Sequence, residues 1–353
     1  MKPPLLDTFL RLIANTGPIS IAHYMAESNA HYYASRDPFG VTGDFITAPE
    51  ISQMFGELIG LWMADIWTRA GRDERVHYVE LGPGRGTLAR DALRAAGRYG
   101  LNPRPHFVET STALKALQLE RHPDAVWHDD LSTLPTDGPI LLVANEFLDA
   151  LPVRQLVRTA HGWRERMVGI HQGRLAAVAG TAPMEAAVPA SLATAPEGAI
   201  IETSPASAAV VNEVAGRLAR QGGAALFIDY GHAEPRLGSS LQAVRAHRKV
   251  DVFSSPGEAD LTAHVDFSAL APIARARGAH SLGTVEQGRW LKALGIDARA
   301  RALCAHAPDQ AAAIAAAHER LTGEGQMGAL FKVMGIAGPD WPDGAGFEGM
   351  SRS

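Results

Sequence analysis

Apolar positions recur along the chain at two periods, and the places where one gives way to the other outline the fold. Residues 5 to 14, LLDTFLRLIA, carry apolar side chains at helical spacing and stop at Gly17-Pro18, which predicts a short first helix; residues 19 to 27 predict a second. Residues 32 to 46 read as loop, because Pro38, Gly40 and Gly43 punctuate them. From Thr47 a broad stripe through Ile51, Met54, Phe55, Leu58, Ile59, Trp62 and Ile66 predicts one long helix facing a core. Thr47 and Glu50 stand at capping-box spacing at its start, with Pro49 tolerated in the first turn.

The middle third alternates strand-like and helix-like text: VHYVEL, TLARDALRAAGRYG, PHFVET, STALKALQLERH, AVWHDD and GPILLVANEF. Unbroken apolar runs such as residues 140 to 143 suit strands covered on both faces, so a parallel sheet flanked by helices is expected. After Pro152 short alternating spans with turn pairs His161-Gly162 and Gln172-Gly173 predict antiparallel hairpins. An Ala/Pro-rich link at 181 to 199 leads to a helix with Ser204 as N-cap, Pro205 first and Gly222 near its end, and AALFIDYGH returns as a buried strand. The loop-rich, partly basic stretch from 233 is too long for a connection and predicts an ordered cover. An Ala-rich helical stretch at 298 to 320 and a closing strand, GALFKVMGI, follow. The expected division is a helical extension at 1–72, an α/β core at 73–232 with a hairpin insertion at about 153–200, and a C-terminal cover at 233–353 that completes the sheet.

Composition narrows the chemistry. The 353 residues are 46% hydrophobic, enough for a large core, and the net charge of −5 argues against nucleic acid as an obligate partner. No run of 18 apolar residues occurs, so no membrane insertion is expected. The single cysteine, Cys304, excludes an internal disulfide framework, and together with the lack of a signal-like N-terminus it leads to the expectation of a soluble cytoplasmic protein. No His/Asp/Glu group has metal-ligand spacing.

The candidate chemistry centres on HYVELGPGRGTLARDALRAA, residues 77 to 96, a strand entering a helix through Gly82, Gly84 and Gly86. A phosphate loop of the G-x-x-x-x-G-K-[ST] type is excluded, since Thr87 follows Gly86 and no lysine is near. The dinucleotide fingerprint needs G-x-G-x-x-G, whereas here the third glycine comes one residue early, which weakens a nicotinamide or flavin reading. The turn suits a cofactor without phosphate whose amino-acid tail and ribose lie against the backbone. Glu80 at the strand end can face the tail ammonium, Glu109 at the end of the next strand can accept both ribose hydroxyls, and Asp129 after the third can take the adenine amino group. This series of strand-end acids matches S-adenosyl-L-methionine better than NAD.

The ordered blocks GDFITAPEISQMFGELIG, ELGPGRGTL, VETS, ANEFLDALPVRQ, FIDYG, LQAVRAHRKVDVFSSPGEADLTAHVDF and FKVMGI span residues 43 to 334 and resemble the MidA family of methyltransferases. Members of that family include a mitochondrial protein arginine methyltransferase of respiratory complex I assembly. The resemblance implies an α/β class I methyltransferase fold, a Rossmann-like seven-stranded sheet, with S-adenosyl-L-methionine as methyl donor. It also implies a protein arginine as acceptor, with a respiratory-complex subunit as the kind of partner. A guanidinium is a poor nucleophile, because its charge is delocalised and its pKa exceeds about 12, and carboxylates must hold it. NEFLDALP supplies Glu146 and Asp149 beside Asn145 after the fourth strand, and a helical turn there would set both acids towards one pocket. Asp44 and Phe45 are candidates for a lid over the cofactor. Arg245 and His247, with Arg248 and Lys249, form a basic cluster that could grip an acidic stretch near the target, and His264 and Asp266 are further candidates for acceptor binding. The rival readings are an NAD-dependent oxidoreductase and an assembly chaperone that keeps the fold without catalysis.

Overall fold

The text ILLVAN has no polar side chain until its last residue, which is the signature of a strand with no solvent face. In the computed structural model, which describes residues 4–35, 47–245 and 248–348, this run is a strand with all six residues buried. It belongs to a sheet of seven main strands: β1 (His77–Leu81), β2 (Pro105–Val108), β3 (Val126–His128), β4 (Ile140–Asn145), β5 (Gly223–His232), β6 (His280–Glu286) and β7 (Phe331–Ala337). Their spatial order is 3-2-1-4-5-7-6. The first five run parallel, and β7 runs antiparallel to both its neighbours. A two-residue strand, Val265–Asp266, pairs with the end of β5. The helix-flanked parallel sheet expected from the alternating pattern is therefore present, with the seven strands that the resemblance implies, and the closing strand slots between β5 and β6.

That order locates the functional end. From β1 the chain winds outward through β2 and β3, then crosses back to place β4 on the other side of β1. Doubly wound sheets bind ligands beyond the carboxyl ends of the strands at such a reversal, because the connections there diverge and leave a crevice. Helix α1 (Gln53–Arg69) packs against α2 (Thr87–Gly97), which follows β1. Their backbones approach closely at Gly60, where an added Cβ would lie 2.1 Å from the Ala92 carbonyl oxygen. The facing side of α2 is correspondingly small, with Ala89, Ala92 and Ala96 buried. A side chain at Gly60 would force the helices apart and shift the glycine turn that α2 anchors.

The start of the long helix differs from expectation. Ala48–Ile51 is a separate single turn, the chain extends at Ser52, and the Ser52 hydroxyl accepts the Met54 amide to cap α1. Thr47 makes no side-chain capping bond: the Glu50 amide donates to the Thr47 carbonyl, and the Glu50 carboxylate, which would complete a capping box, accepts the Thr87 hydroxyl at 2.5 Å. The periodicity ran through this break because one turn and one extended residue keep the apolar residues on the same side.

The chain divides into two compact units, each discontinuous in sequence. One holds the seven-stranded sheet and comprises Phe39–Leu148, Ala208–Glu234 and Val265–Ser353. The other comprises Met1–Pro38, Asp149–Ser207 and Pro235–His264. In this second unit the helices Leu5–Thr16 and Ile21–Ser35 share a core with two small antiparallel sheets, through Phe9, Tyr24, Met25, Val168 and Leu261. Gln172 and Gly173 both take positive φ, 49° and 76°, as a tight two-residue hairpin turn demands. The other hairpin turns one residue earlier than expected, with Thr159 paired to Gly162. Ser204 caps the helix Pro205–Gln221 by accepting the Ser207 amide. No helix among the described residues is long and apolar enough to cross a membrane.

Candidate functional site

The carboxyl end of β1 is buried through Leu81, after which the chain must reverse into α2 within five residues. Gly82, Gly84 and Gly86 all adopt positive φ, at 61°, 54° and 74°. Gly86 is the N-cap of α2 in the left-handed conformation, and a Cβ there would lie 2.9 Å from the His122 ring. A side chain is excluded both by conformation and by space, which answers why the turn is made of glycine. Glu80 stands one residue from the strand end, 3% exposed, and accepts the Tyr78 hydroxyl at 2.6 Å. Burial pushes its carboxyl up to about 7, against the lowering effect of Tyr78 and the Ala89 amide. A carboxylate held this far from water is poised to ionise when a cation arrives.

Beside it, Glu109 at the end of β2 is buried, accepts the Ser111 amide at 2.8 Å, and is raised above the usual carboxylate range by burial. Ser111 in turn caps helix α3 (Thr112–Arg121). Gln118 on that helix, fully buried, donates to the Gly84 carbonyl at 2.7 Å and to Glu109 at 3.4 Å, so the second acid is joined to the glycine turn. Asp129 after β3 lies at the surface, ion-paired with Lys115 at 2.7 Å.

The carboxyl end of β4 is built differently. Glu146 takes positive φ, 51°, although it carries a side chain. A left-handed non-glycine residue costs on the order of 1–2 kcal/mol and persists only where its surroundings hold it. Its amide donates to the Ile228 carbonyl, and the following amides of Phe147 and Leu148 both donate to Asp229 at 3.1 and 2.9 Å. Asp229, 1% exposed, lies within the adjacent strand β5. The Glu146 carboxylate accepts the Ala48 amide at 3.0 Å and the Asn145 amide group at 3.1 Å. The expected helical turn from Glu146 to Asp149 is absent: the left-handed residue breaks it, and Asp149 falls in the other compact unit, buried, where it adds to burial and Asp260 in raising the Tyr33 hydroxyl.

A cleft in the sheet-bearing unit thus brings together Glu80, Gly82, Gly84, Asn145 and Glu146 of the expected residues, along with Glu50. Gly86 completes the turn and Glu109 is joined to it through Gln118, while the other candidates lie elsewhere. Arg245 pairs with Glu258 at 2.9 Å on an exposed strand. His264 and Asp266 fall in different units, and Asp266 caps the helix Phe267–Ala276 while standing 3.6 Å from His232. Asp44, Phe45 and His247 lie outside the described residues. Asp229, Gln118 and Glu50 are the contributors that sequence reading missed. For Asp229 a signal existed: an acid directly after the apolar run AALFI has no reason to be buried unless it holds something.

The residues of this cleft fit a cationic cofactor. Glu50, Glu80 and Glu146 are among its lining residues, and Asn145 Oδ1 is buried with no hydrogen-bond partner among the described residues. A buried orphan acceptor in a cleft lined by carboxylates calls for a donor or a positive charge from a ligand. S-adenosyl-L-methionine carries an ammonium and a sulfonium and has no phosphate, in keeping with a turn that brings no lysine.

Comparison with known proteins agrees. Residues 58–285 match the family model of S-adenosyl-L-methionine-dependent methyltransferases. The chain is 38% identical to the rat protein arginine methyltransferase NDUFAF7, mitochondrial, over 87% of this chain and 77% of that one. The human protein of the same name is 37% identical, over 85% and 75%. A crystal structure from Burkholderia thailandensis, bound to S-adenosyl-homocysteine, superposes with a TM-score of 0.86 at 30% identity, covering 99% of this chain and 95% of that one. The expected cytoplasmic location is overturned by these relatives, which are named as mitochondrial proteins. A lone cysteine marks a chain without disulfides and does not single out the cytoplasm among compartments. Sheet order, acceptor-lined cleft and these similarities converge: the chain belongs to the MidA family of S-adenosyl-L-methionine-dependent methyltransferases.

Proposed function

We propose that this methyltransferase modifies an arginine side chain of a protein, with a respiratory-complex subunit as the kind of acceptor. The observation that carries the reading is Glu146, held in a strained backbone conformation at the reversal point of the sheet, its carboxylate in the same cleft as the glycine turn. Strain of this kind is retained where a side chain must be aimed. A carboxylate accepting two N–H groups of a guanidinium fixes the plane of that group and directs one terminal nitrogen. The names of the relatives, protein arginine methyltransferases, support the same acceptor.

Within this reading Glu80 faces the cofactor's ammonium, Glu109 accepts the ribose hydroxyls, and the turn at Gly82 to Gly86 lets the backbone approach. When bound, the cofactor supplies an electrophilic methyl group on a sulfonium. Asn145 and Glu146 present acceptors to the incoming cation, and displacement of water from the cleft strengthens both contacts. Glu146→Gln keeps size and hydrogen bonding but removes the charge, and methyl incorporation into protein should fall at least a hundredfold while S-adenosyl-homocysteine binding is retained. Proteome mass spectrometry with and without the protein should show arginines differing by one or two methyl groups. Unaltered arginines would remove the acceptor assignment and leave the cofactor assignment intact.

A further inference from the structure

Three side chains at the C-terminal end of α3, the last from its C-cap residue, meet three successive carbonyls of the glycine turn. Gln118 donates to Gly84 O at 2.7 Å, Arg121 to Arg85 O at 2.7 Å, and His122 Nε2 lies 2.9 Å from Gly86 O. Positions 118, 121 and 122 share a face of a helical turn, so a single element presents all three. Because Nε2 of His122 faces a carbonyl, it carries the proton. Each residue has a second anchor. Gln118 also receives the Trp127 indole N–H at 2.8 Å and reaches Glu109; Arg121 reaches the Thr87 hydroxyl at 3.3 Å; His122 packs edge-on against Phe107 and fills the space a Cβ on Gly86 would need.

We infer that the C-terminal turn of α3 is a clamp that positions the cofactor loop, with Gln118, Arg121 and His122 as positioning residues. This rests on the assignment of the glycine turn to cofactor binding. Three glycines within five residues make the turn a permissive stretch of backbone. Left alone it would sample many conformations, and ordering it would be charged against ligand affinity. Holding each carbonyl from behind fixes the three peptide planes before the ligand arrives. Gln118 adds a second effect, since the same amide holds the turn and the acid assigned to the ribose in one register.

The clamp is tested by titrating S-adenosyl-homocysteine into purified full-length variants and by melting the same proteins without ligand. Gln118→Leu and His122→Leu should each weaken binding about tenfold, the worth of one well-made buried hydrogen bond. His122→Gln, which keeps a donor at the right reach, should return to within about threefold of wild type. Arg121→Ala, at an exposed position, should weaken binding by a few-fold with an unchanged ligand-free melting temperature. That variant keeps the test decisive if Gln118→Leu fails to fold. Wild-type affinity in both Arg121→Ala and His122→Leu, or equal loss in His122→Gln and His122→Leu, would overturn the clamp. A wild-type protein that does not bind S-adenosyl-homocysteine would instead overturn the cofactor assignment on which the clamp depends.

Discussion

The turns that end β1 and β4 face each other across the reversal of the sheet and solve the same geometric problem by opposite means. At the first, the left-handed positions are glycines, which take them without penalty, and order comes from neighbouring side chains. At the second, the left-handed position is Glu146, which pays for it, and order comes from Asp229 collecting the next two amides. Under the proposed function the difference separates two tasks. A surface that must let a ligand approach the backbone uses residues without side chains, whereas one that must aim a carboxylate needs the side chain and accepts the strain.

The largest effect expected from breaking this contrast is at Asp229. Asp229→Ala leaves the Phe147 and Leu148 amides buried without their acceptor, and at roughly 2 kcal/mol each the protein should lose about 4 kcal/mol, read by denaturant unfolding. A loss below about 1 kcal/mol would mean the β4 turn is held by something else.

Glu80 gives the next largest effect and has a defined sign. Its folded pKa, about 7, lies above the ordinary 4.5, so between those values the folded protein keeps a proton that the unfolded chain has released. Its contribution to stability is therefore fully present below about pH 4.5, declines as pH rises, and is gone above about 7. Glu80→Gln should remove that decline and leave the ligand-free protein about 3 kcal/mol more stable than wild type at pH 8. A cationic ligand favours the ionised form, so S-adenosyl-L-methionine affinity of the wild type should tighten from pH 6 to 8 while that of the variant stays flat. Parallel profiles for the two proteins would show that the β1 end does not meet the cation.

Gly86→Val sharpens the comparison from the glycine side. It imposes a β-branched residue at φ 74° against the His122 ring and should cost about 2 kcal/mol in S-adenosyl-homocysteine binding, read by calorimetry. The smallest effect is expected at Asp129→Asn. Its exposed ion pair with Lys115 is worth less than about 1 kcal/mol, and the melting temperature should barely move. A loss of cofactor affinity beyond about threefold in that variant would give Asp129 a direct part in binding.

Much of this site was legible because its signals are local. Gly82, Gly84 and Gly86 with Glu80 lie within seven residues, and their meaning follows from which residues tolerate positive φ. Asn145 and Glu146 were found because they follow an apolar run. Gln118 carried no such signal, since a glutamine in an amphipathic helix reads as a solvated face until the turn 34 residues earlier is placed against it. Glu50 misled for the complementary reason. Its spacing from Thr47 satisfied a local rule, but Thr87 offered a better partner across space.

The sequence by itself determined where strands, helices and the glycine turn occur, because hydrophobic period and backbone permissiveness are properties of neighbouring residues. It also pointed to the class of cofactor, through the spacing of the glycines and the acids expected beside them. Only the tertiary structure decided that Glu146 would sit in a left-handed turn, that Asp149 would part from it into another unit, and that α3 would brace the turn from behind. Those outcomes depend on pairings between residues far apart in the chain, and a one-dimensional pattern does not carry them.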